Sequence, residues 1–205
     1  MGARLREKRI ELGVSLRELA RKLEVSPSLV SQIETGKIQP SVRTLYAIVS
    51  QLGMSLDAIF DLTAETGPLE RDAAPVPAAP GGAEAPGGPS HGRVQRAADR
   101  RVIALESGVH WERLTAWDDP DVEFLMAVYE VGGSSSSDRK LMRHSGREFG
   151  LVIGGTLSVT VGFEEHVLGP GDSISFESTV PHRLHNEGDE PVRAVWVTLD
   201  RHRAP

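Results

Sequence analysis

The residues best suited to chemistry lie in the C-terminal half, where two histidines and a glutamate occur at strand-like spacings. Met142, His144 and Glu148 are separated by even numbers of residues, and residues with even spacing share one face of a strand. If the step at residues 145–146 keeps this register, all three side chains point into one interior, where His182 on a later strand can join them. Two imidazoles and a carboxylate are a competent ligand set for non-haem Fe(II), Mn(II) or Zn(II).

Three uses of these residues remain open on the sequence alone. The first is a metal site formed by the two histidines and the glutamate. The second is an effector pocket lined by Met142, His144, Glu148 and His182, in which hydrogen bonds hold an organic molecule without a metal. The third is a purely structural barrel that dimerises. His185 has the opposite parity from His182 and is expected at the surface.

A second set of polar residues, in the N-terminal region, suits nucleic acid. Val30 and Ile33 form the buried side of a short predicted helix, so Ser28, Ser31 and Gln32 face outward. Serine and glutamine side chains can bond to DNA phosphates and base edges. A helix whose exposed face is short and uncharged fits the major groove of duplex DNA.

The elements that position these residues change in kind along the chain. Five short helices are predicted, over about residues 4–12, 15–23, 26–36 and 41–53 and from Ser55 onward. Ser15, Ser26 and Ser41 are the expected N-caps, with Glu18 completing a capping box at the second helix. From about residue 101 the pattern becomes short strands, at 122–129, 156–161 and 194–199, separated by Gly and Pro turns. Such strands without helices predict a barrel or sandwich.

Three domains or segments follow from these patterns. Residues 1–62 form the helical domain and residues 99–205 the β domain. Residues 63–98 between them are rich in Ala, Pro and Gly and cannot bury enough apolar surface to order themselves, so they are expected to be a flexible linker.

Composition restricts the class of protein. The chain has 205 residues, no cysteine and a formal net charge of −6, but residues 1–62 hold three Lys and six Arg against five Glu and two Asp. A mildly basic head on an acidic body is compatible with DNA contact through one face. There is no signal-peptide pattern and no apolar run long enough to span a bilayer, so a soluble cytoplasmic protein is expected. No Ser-His-Asp arrangement or phosphate-binding Gly loop offers a catalytic route.

Residues 1–62 resemble the helix-turn-helix domain of the Cro and phage-repressor superfamily, the Xre family. The resemblance rests on Leu19-Ala20, Val25-Ser26, the run 30–37, Pro40-Ser41 and Leu45. It implies a recognition helix that begins at Pro27, with Ser28, Ser31 and Gln32 reading bases. It also implies that Arg17 and Lys37 contact phosphates.

Two positions depart from that family's pattern. Leu16 replaces the glutamine that often bonds a phosphate at the start of the second helix. Glu24 replaces the glycine of the turn, and a non-glycine residue at positive φ costs about 1 kcal/mol. Neither position removes a side chain expected to face the groove.

Residues 122–200 resemble the two motifs of the cupin superfamily, small barrels of the double-stranded β-helix type. His144, Glu148 and Gly155 match the first motif, in which Met142 replaces the first histidine. The second motif is matched by Gly171, His182 and Asn186, with Glu177 and Thr179 in place of its internal Pro and Gly. Three of the four usual metal ligands are therefore present.

The two resemblances together imply a ligand-responsive bacterial transcription regulator rather than an enzyme. The barrel is then the sensor of a small-molecule effector or metal and the dimerising domain, and the expected assembly is a homodimer on a palindromic operator in double-stranded DNA. The alternative is a cupin dioxygenase or isomerase that carries a DNA-binding domain. The missing histidine ligand disfavours that enzyme.

Overall fold

The computed structural model describes residues 1–60, 93–117, 119 and 121–199. Most of the predicted linker, residues 63–92, lies outside this range. The described chain resumes at Arg93 and forms a single 3-10 turn at Ala97–Asp99 before the first strand. Among the helices of the described chain, none is both long and apolar enough to cross a membrane.

The N-terminal domain consists of short helices whose starts follow local chemistry. They are α1 (Gly2–Glu11), α2 (Leu16–Lys22), α3 (Pro27–Glu34), α4 (Val42–Gln51) and α5 (Asp57–Phe60). The serine N-caps of α2, α3 and α4 are confirmed, because each side chain accepts a backbone hydrogen bond at 3.1–3.2 Å. Glu18 does not complete the box as predicted: its carboxylate lies 3.4 Å from Lys22. Two other starts differ from expectation, since α1 begins at Gly2 and α5 at Asp57.

The turn between α2 and α3 keeps its left-handed residue without glycine. Glu24 adopts φ = 56°, so the departure from the family pattern leaves the turn's conformation intact. Ala20 is fully buried on α2, the helix that packs against α3. The small side chain lets the two helices approach closely.

A buried ion pair ties α1 to α3. Arg9 donates to both carboxylate oxygens of Glu34, at 2.5 and 2.8 Å, and to the carbonyl of Val14 at 2.9 Å. Close packing accompanies this pair, because a Cβ added to Gly2 would lie 2.2 Å from the carbonyl oxygen of Ile33. Helix α1 is therefore held against the C-terminal end of α3 by both charge and shape.

The C-terminal domain is an antiparallel β structure of two sheets. Its strands are β1 (Val102–Leu105), β2 (Val109–Arg113), β3 (Val122–Tyr129), β4 (Arg147–Gly154), β5 (Leu157–Val161), β6 (Glu164–Leu168), β7 (Ser173–Glu177), β8 (His182–His185) and β9 (Val192–Leu199). One sheet has the order β1-β2-β3-β9-β4-β7 and the other β6-β5-β8. The predicted combination of a helical domain with an all-β domain is confirmed.

The two sheets bury a shared interior. Strand β9 alternates strictly between buried and half-buried positions, as expected when one face of a sheet meets the core. Trp111 and Trp196 of the larger sheet and Leu184 of the smaller sheet belong to one apolar cluster. Both tryptophans are buried in this core.

Helix α4 packs directly on the β domain. The backbone amide of Arg43 lies in the first turn of α4, where amides have no partner within the helix, and donates to the carbonyl of Ser135 at 3.1 Å. The Arg43 guanidinium lies 3.3 Å from Asp138. The carbonyl of Pro40, just before the helix, accepts from the amide of Glu106 at 2.9 Å. The two domains are thus in contact through backbone hydrogen bonds as well as side chains.

Candidate functional site

The histidines and the glutamate predicted as ligands meet inside the β domain. Glu148 lies on β4 and His182 begins β8, while His144 lies three residues before β4 starts. The chain breaks the strand at Gly146, where φ is 103°, so even spacing along one strand does not explain the position of His144. Instead its amide donates to the carbonyl of Ser178 at 3.0 Å, which keeps the segment against the barrel.

The three side chains converge on one carboxylate oxygen. Oε1 of Glu148 lies 3.1 Å from Nε2 of His144 and 3.2 Å from Nε2 of His182. The ligand atoms of the three residues all lie within 4.8 Å of one another. Their side chains are 7%, 5% and 1% exposed for His144, Glu148 and His182, so bulk water does not reach them.

The hydrogen bonds of the imidazoles place lone pairs toward the glutamate. Nδ1 of His144 lies 2.9 Å from the carbonyl of Ser145, and Nδ1 of His182 lies 2.9 Å from that of Val180. Because a carbonyl oxygen only accepts, each Nδ1 carries a proton, and each ring in its neutral form turns an unprotonated Nε2 to Glu148. Within the described chain, Nε2 of His144 and Oε1 of Glu148 have no hydrogen-bond partner. Three converging acceptors fit a bound cation.

The charges of the group favour an ionised glutamate. Burial by itself raises the pKa of the Glu148 carboxyl, but His144, His182 and a hydrogen bond from Trp196 together hold that pKa below its ordinary value. Burial likewise opposes charge on His144, yet the adjacent carboxylate raises the pKa of its imidazole above the ordinary value. The pKa of His182 is lowered, chiefly by burial.

Trp196 orients the carboxylate, a role that the sequence does not predict. Its indole Nε1 donates to Oε2 of Glu148 at 2.7 Å. Gly150, opposite Trp196 in the β4–β9 register, leaves room for the indole, since a Cβ there would lie 2.1 Å from the ring. A buried indole N–H requires a partner, and this requirement is the signal that could have predicted the contact.

Met142 occupies the place of the missing histidine without leaving much space. It is buried, and its amide and carbonyl both pair with the backbone of His182 at 2.8 Å. The cavity that it lines with Glu148 and His182 measures about 20 Å³. A cavity of this size holds about one water molecule or one ion.

A tyrosine of the helical domain closes the group from outside. The ring of Tyr46, on α4, stacks on His144 with the centroids 4.1 Å apart and the planes 3° apart. Its hydroxyl donates to Oε2 of Glu123 at 2.6 Å. His185, by contrast, lies on the other face of β8, as its parity predicts, 3.0 Å from Glu187. The expectation that it lies at the surface is wrong, because its side chain is only 12% exposed.

The residues predicted to contact DNA lie on or beside α3. Pro27 and Ser28 are exposed, and Ser31 and Gln32 are half-buried. Val30 and Ile33 of the same helix are buried. The two predicted phosphate contacts, at positions 17 and 37, have exposed side chains. The outward orientation of the recognition face is therefore consistent with the sequence, and the individual base and phosphate contacts stay predictions.

Comparisons with known proteins cover both domains. A helix-turn-helix family model matches residues 5–59, and a cupin domain model matches residues 125–198. The HTH-type transcriptional regulator PuuR of Escherichia coli is 24% identical over 185 residues, which span 90% of this chain and 86% of PuuR. A protein of the same name from Shigella flexneri matches equally well.

A solved structure has the same arrangement of domains. An HTH_3 family transcriptional regulator from Vibrio cholerae aligns over 97% of this chain and 93% of its own, with a TM-score of 0.63 and 19% identity. Likeness at this identity supports the fold. The two family matches and the homology to PuuR identify this chain as a transcription regulator with an N-terminal Xre-type helix-turn-helix domain and a C-terminal cupin domain.

Proposed function

We propose that this chain regulates transcription as a homodimer on a palindromic operator, and that its barrel responds to a divalent cation or a small-molecule effector. The observation that carries the DNA part is the outward face of α3. Ser28, Ser31 and Gln32 follow an N-capped start at Ser26, and the buried pair of Arg9 with Glu34 supports the other end of the helix.

Gln32 is the side chain with the greatest capacity to distinguish bases. A glutamine that makes two hydrogen bonds to adenine contributes about 1–3 kcal/mol of discrimination, so Gln32→Ala should weaken operator binding about 5- to 150-fold. The operator is first selected from genomic DNA of the source organism, and affinity is then measured on it and on a scrambled duplex. The variant should bind the scrambled duplex with unchanged affinity.

Lys37→Ala is the matched control, because it removes a predicted phosphate contact and no base contact. It should weaken binding to both duplexes alike and reduce the salt dependence of affinity by about one phosphate contact. If Gln32→Ala instead leaves sequence preference intact, the assignment of α3 as the reading helix is wrong.

The barrel group suits a small cation. His144, Glu148 and His182 would hold it, and the ion would supply the positive charge that three converging acceptors lack. The cavity of about 20 Å³ that Glu148 and His182 line supports an ion rather than an organic molecule as its occupant. An organic effector of ordinary size requires several hundred Å³ and would have to enter through the cleft beside Tyr46.

Metal content tests this assignment. Protein reconstituted anaerobically with Fe(II), Mn(II) or Zn(II) and then desalted should retain about one ion per chain, as measured by elemental analysis. His182→Ala should lower affinity at least about 100-fold, since a ligand contributes more than the second-shell partners whose loss costs 10- to 100-fold. His185→Ala, on the other face of the same strand, should retain the ion. Wild-type protein that retains none would refute the cation site.

A metal-dependent enzyme is the alternative that the ligand set itself favours. Two histidines and one carboxylate support oxygen chemistry at iron in other proteins. The small cavity and the regulatory relatives support sensing instead. Oxygen consumption by iron-loaded protein would favour catalysis.

Dimerisation is supported by an apolar stripe on the outer face of the larger sheet. A solvated sheet face normally carries polar side chains, but the outward positions of β4 are Phe149, Leu151 and Ile153, and all three are exposed. They continue onto Val195 and Val197, their partners or neighbours on β9. A contiguous exposed apolar surface marks an interaction site. We propose that a second copy of this chain covers it, because a single DNA-binding domain makes few contacts with DNA and two linked domains bind more tightly.

A further inference from the structure

Tyr46 belongs to the helical domain but contacts the barrel's ligand group. Its ring covers one face of the His144 imidazole, and its edge meets Trp111 with the centroids 5.7 Å apart. Its hydroxyl donates to Glu123 on β3. The tyrosine therefore contacts three residues of the β domain, and one of these residues, His144, is a candidate metal ligand.

The position of Tyr46 depends on the docking of the whole helix. Arg43, one turn before it on α4, pairs with Ser135 through the backbone and with Asp138 through its side chain. Val42 of the same turn is buried and lines the cavity of about 20 Å³ in the barrel. If α4 leaves the barrel, the stack on His144 is lost together with these contacts.

The stack separates two spaces. On the inner side is the cavity of about 20 Å³ that Glu148 and His182 line. On the outer side is a cleft of about 290 Å³ between the domains, lined by His144, Glu123 and α4 residues. Tyr46 lines both spaces, and its stack on His144 restrains that imidazole with Nε2 3.1 Å from Oε1 of Glu148.

We propose that Tyr46 is a positioning residue of the barrel site supplied by the DNA-binding domain, and that cation binding and the docking of α4 favour each other. The inference rests on the proposed cation site. Holding His144 in its ligating orientation before the ion arrives raises the affinity for the ion. Linkage requires the reverse as well: the ion stabilises the docked helix by the same factor.

Through this coupling, cation binding in the barrel would affect DNA binding by α3. Helix α2 packs against both α3 and α4, so docking of α4 on the barrel sets the direction in which α3 faces. In a dimer, the distance between two recognition helices must match the half-site spacing of the operator. A bound cation would therefore select one spacing of the heads.

The first measurement is Zn²⁺ affinity of the full chain by competition with a chelator of known affinity. Tyr46→Ala should weaken Zn²⁺ binding about 5- to 50-fold, within the usual range of coupling between sites. Tyr46→Phe keeps the stacked ring and should recover most of the affinity. Gln51→Ala, an exposed change on the same helix at a position that lines neither space, should bind Zn²⁺ as the wild type does.

The second measurement reports docking itself. The chain has no cysteine, so Ile10→Cys and Phe163→Cys, at positions 57% and 106% exposed, allow specific spin labelling of the head and the barrel. Labelled chains are diluted with unlabelled chains so that only distances within one chain contribute. Zn²⁺ should narrow the distance distribution with Tyr46 present and should leave it broad in Tyr46→Ala.

The outcomes separate the two proposals. If wild-type chain binds no Zn²⁺, the cation site fails and the coupling fails with it. If Tyr46→Ala binds Zn²⁺ like wild type, and if Zn²⁺ narrows its distance distribution between the spin labels equally, the coupling is overturned and the cation site stands. Circular dichroism verifies that Tyr46→Ala is folded; if it is not, Tyr46→Leu, which keeps apolar bulk but removes the aromatic stack on His144, takes its place under the same two criteria.

Discussion

Replacing Arg9 by alanine is expected to lower the free energy of unfolding of the helical domain by about 3–5 kcal/mol. The change removes three hydrogen bonds, two of them to Glu34 and one to the carbonyl of Val14. It also leaves the Glu34 carboxylate, 4% exposed, without the charge that compensates for its burial. Burial of the unpaired charge accounts for most of the expected loss.

Two optical signals allow the two domains to be followed separately in one urea titration. Helices α1–α5 all lie in the N-terminal domain, whereas the three tryptophans of the chain, Trp111, Trp117 and Trp196, lie in the C-terminal domain. Helical circular dichroism should therefore show the loss in Arg9→Ala, while the midpoint of the tryptophan fluorescence transition changes little.

Arg4→Ala is the matched control on the same helix. Arg4 pairs with Glu7 at 2.9 Å, but the two side chains are 42% and 68% exposed. A pair this exposed contributes about 0–1 kcal/mol, so the variant should unfold almost as the wild type does. Equal stability of Arg4→Ala and Arg9→Ala would contradict the importance assigned to the buried pair.

A double replacement distinguishes the attraction within the pair from the cost of leaving one charge alone. Arg9→Met combined with Glu34→Leu removes both charges and refills the space with apolar atoms. It is expected to cost less than either Arg9→Ala or Glu34→Ala, because no buried charge is left unpaired. A double variant less stable than both single ones would show that the pair itself, and not its desolvation, dominates.

Features that depend on a few neighbouring residues were predictable from the sequence. Ser26 and Pro27 begin α3 where the preferences for an N-cap and for the first helical position place them. Parity within a strand correctly separated His182 from His185. These predictions hold because the hydrogen bonds and the alternation of side chains that cause them are local.

Contacts between distant segments carried no such local signal. Arg9 and Glu34 are 25 residues apart, and each could have been one more charge on a helix surface. Tyr46 fits the apolar pattern of α4, and nothing near it in the chain indicates that His144 lies opposite. Even His144 reached the predicted site by a different route, through a backbone bond to Ser178 rather than through strand parity. Such positions are determined by how elements pack, which one sequence does not specify directly.

The homodimer predicted from the sequence can be tested on the outer face of the larger sheet. Leu151→Glu should convert the protein to monomers in sedimentation velocity and lower its affinity for a palindromic operator at least about 100-fold. Leu151 is 41% exposed and lies between Val195 on β9 and Ser173 on β7 in the sheet register. A carboxylate there would be buried without a partner when two apolar stripes meet, which opposes association.

Val167→Glu provides the same chemical change on the smaller sheet, at a position 70% exposed, and should leave the dimer and its DNA affinity intact. Dissociation by Val167→Glu but not by Leu151→Glu would move the interface to that sheet. Leu151→Glu should also keep the cation affinity of the wild type, because Leu151 points outward while Gly150 and Val152 on either side point into the barrel. A monomer that still binds the cation but no longer binds the palindrome tightly would assign the loss to dimerisation, since an unfolded barrel could not hold the ion.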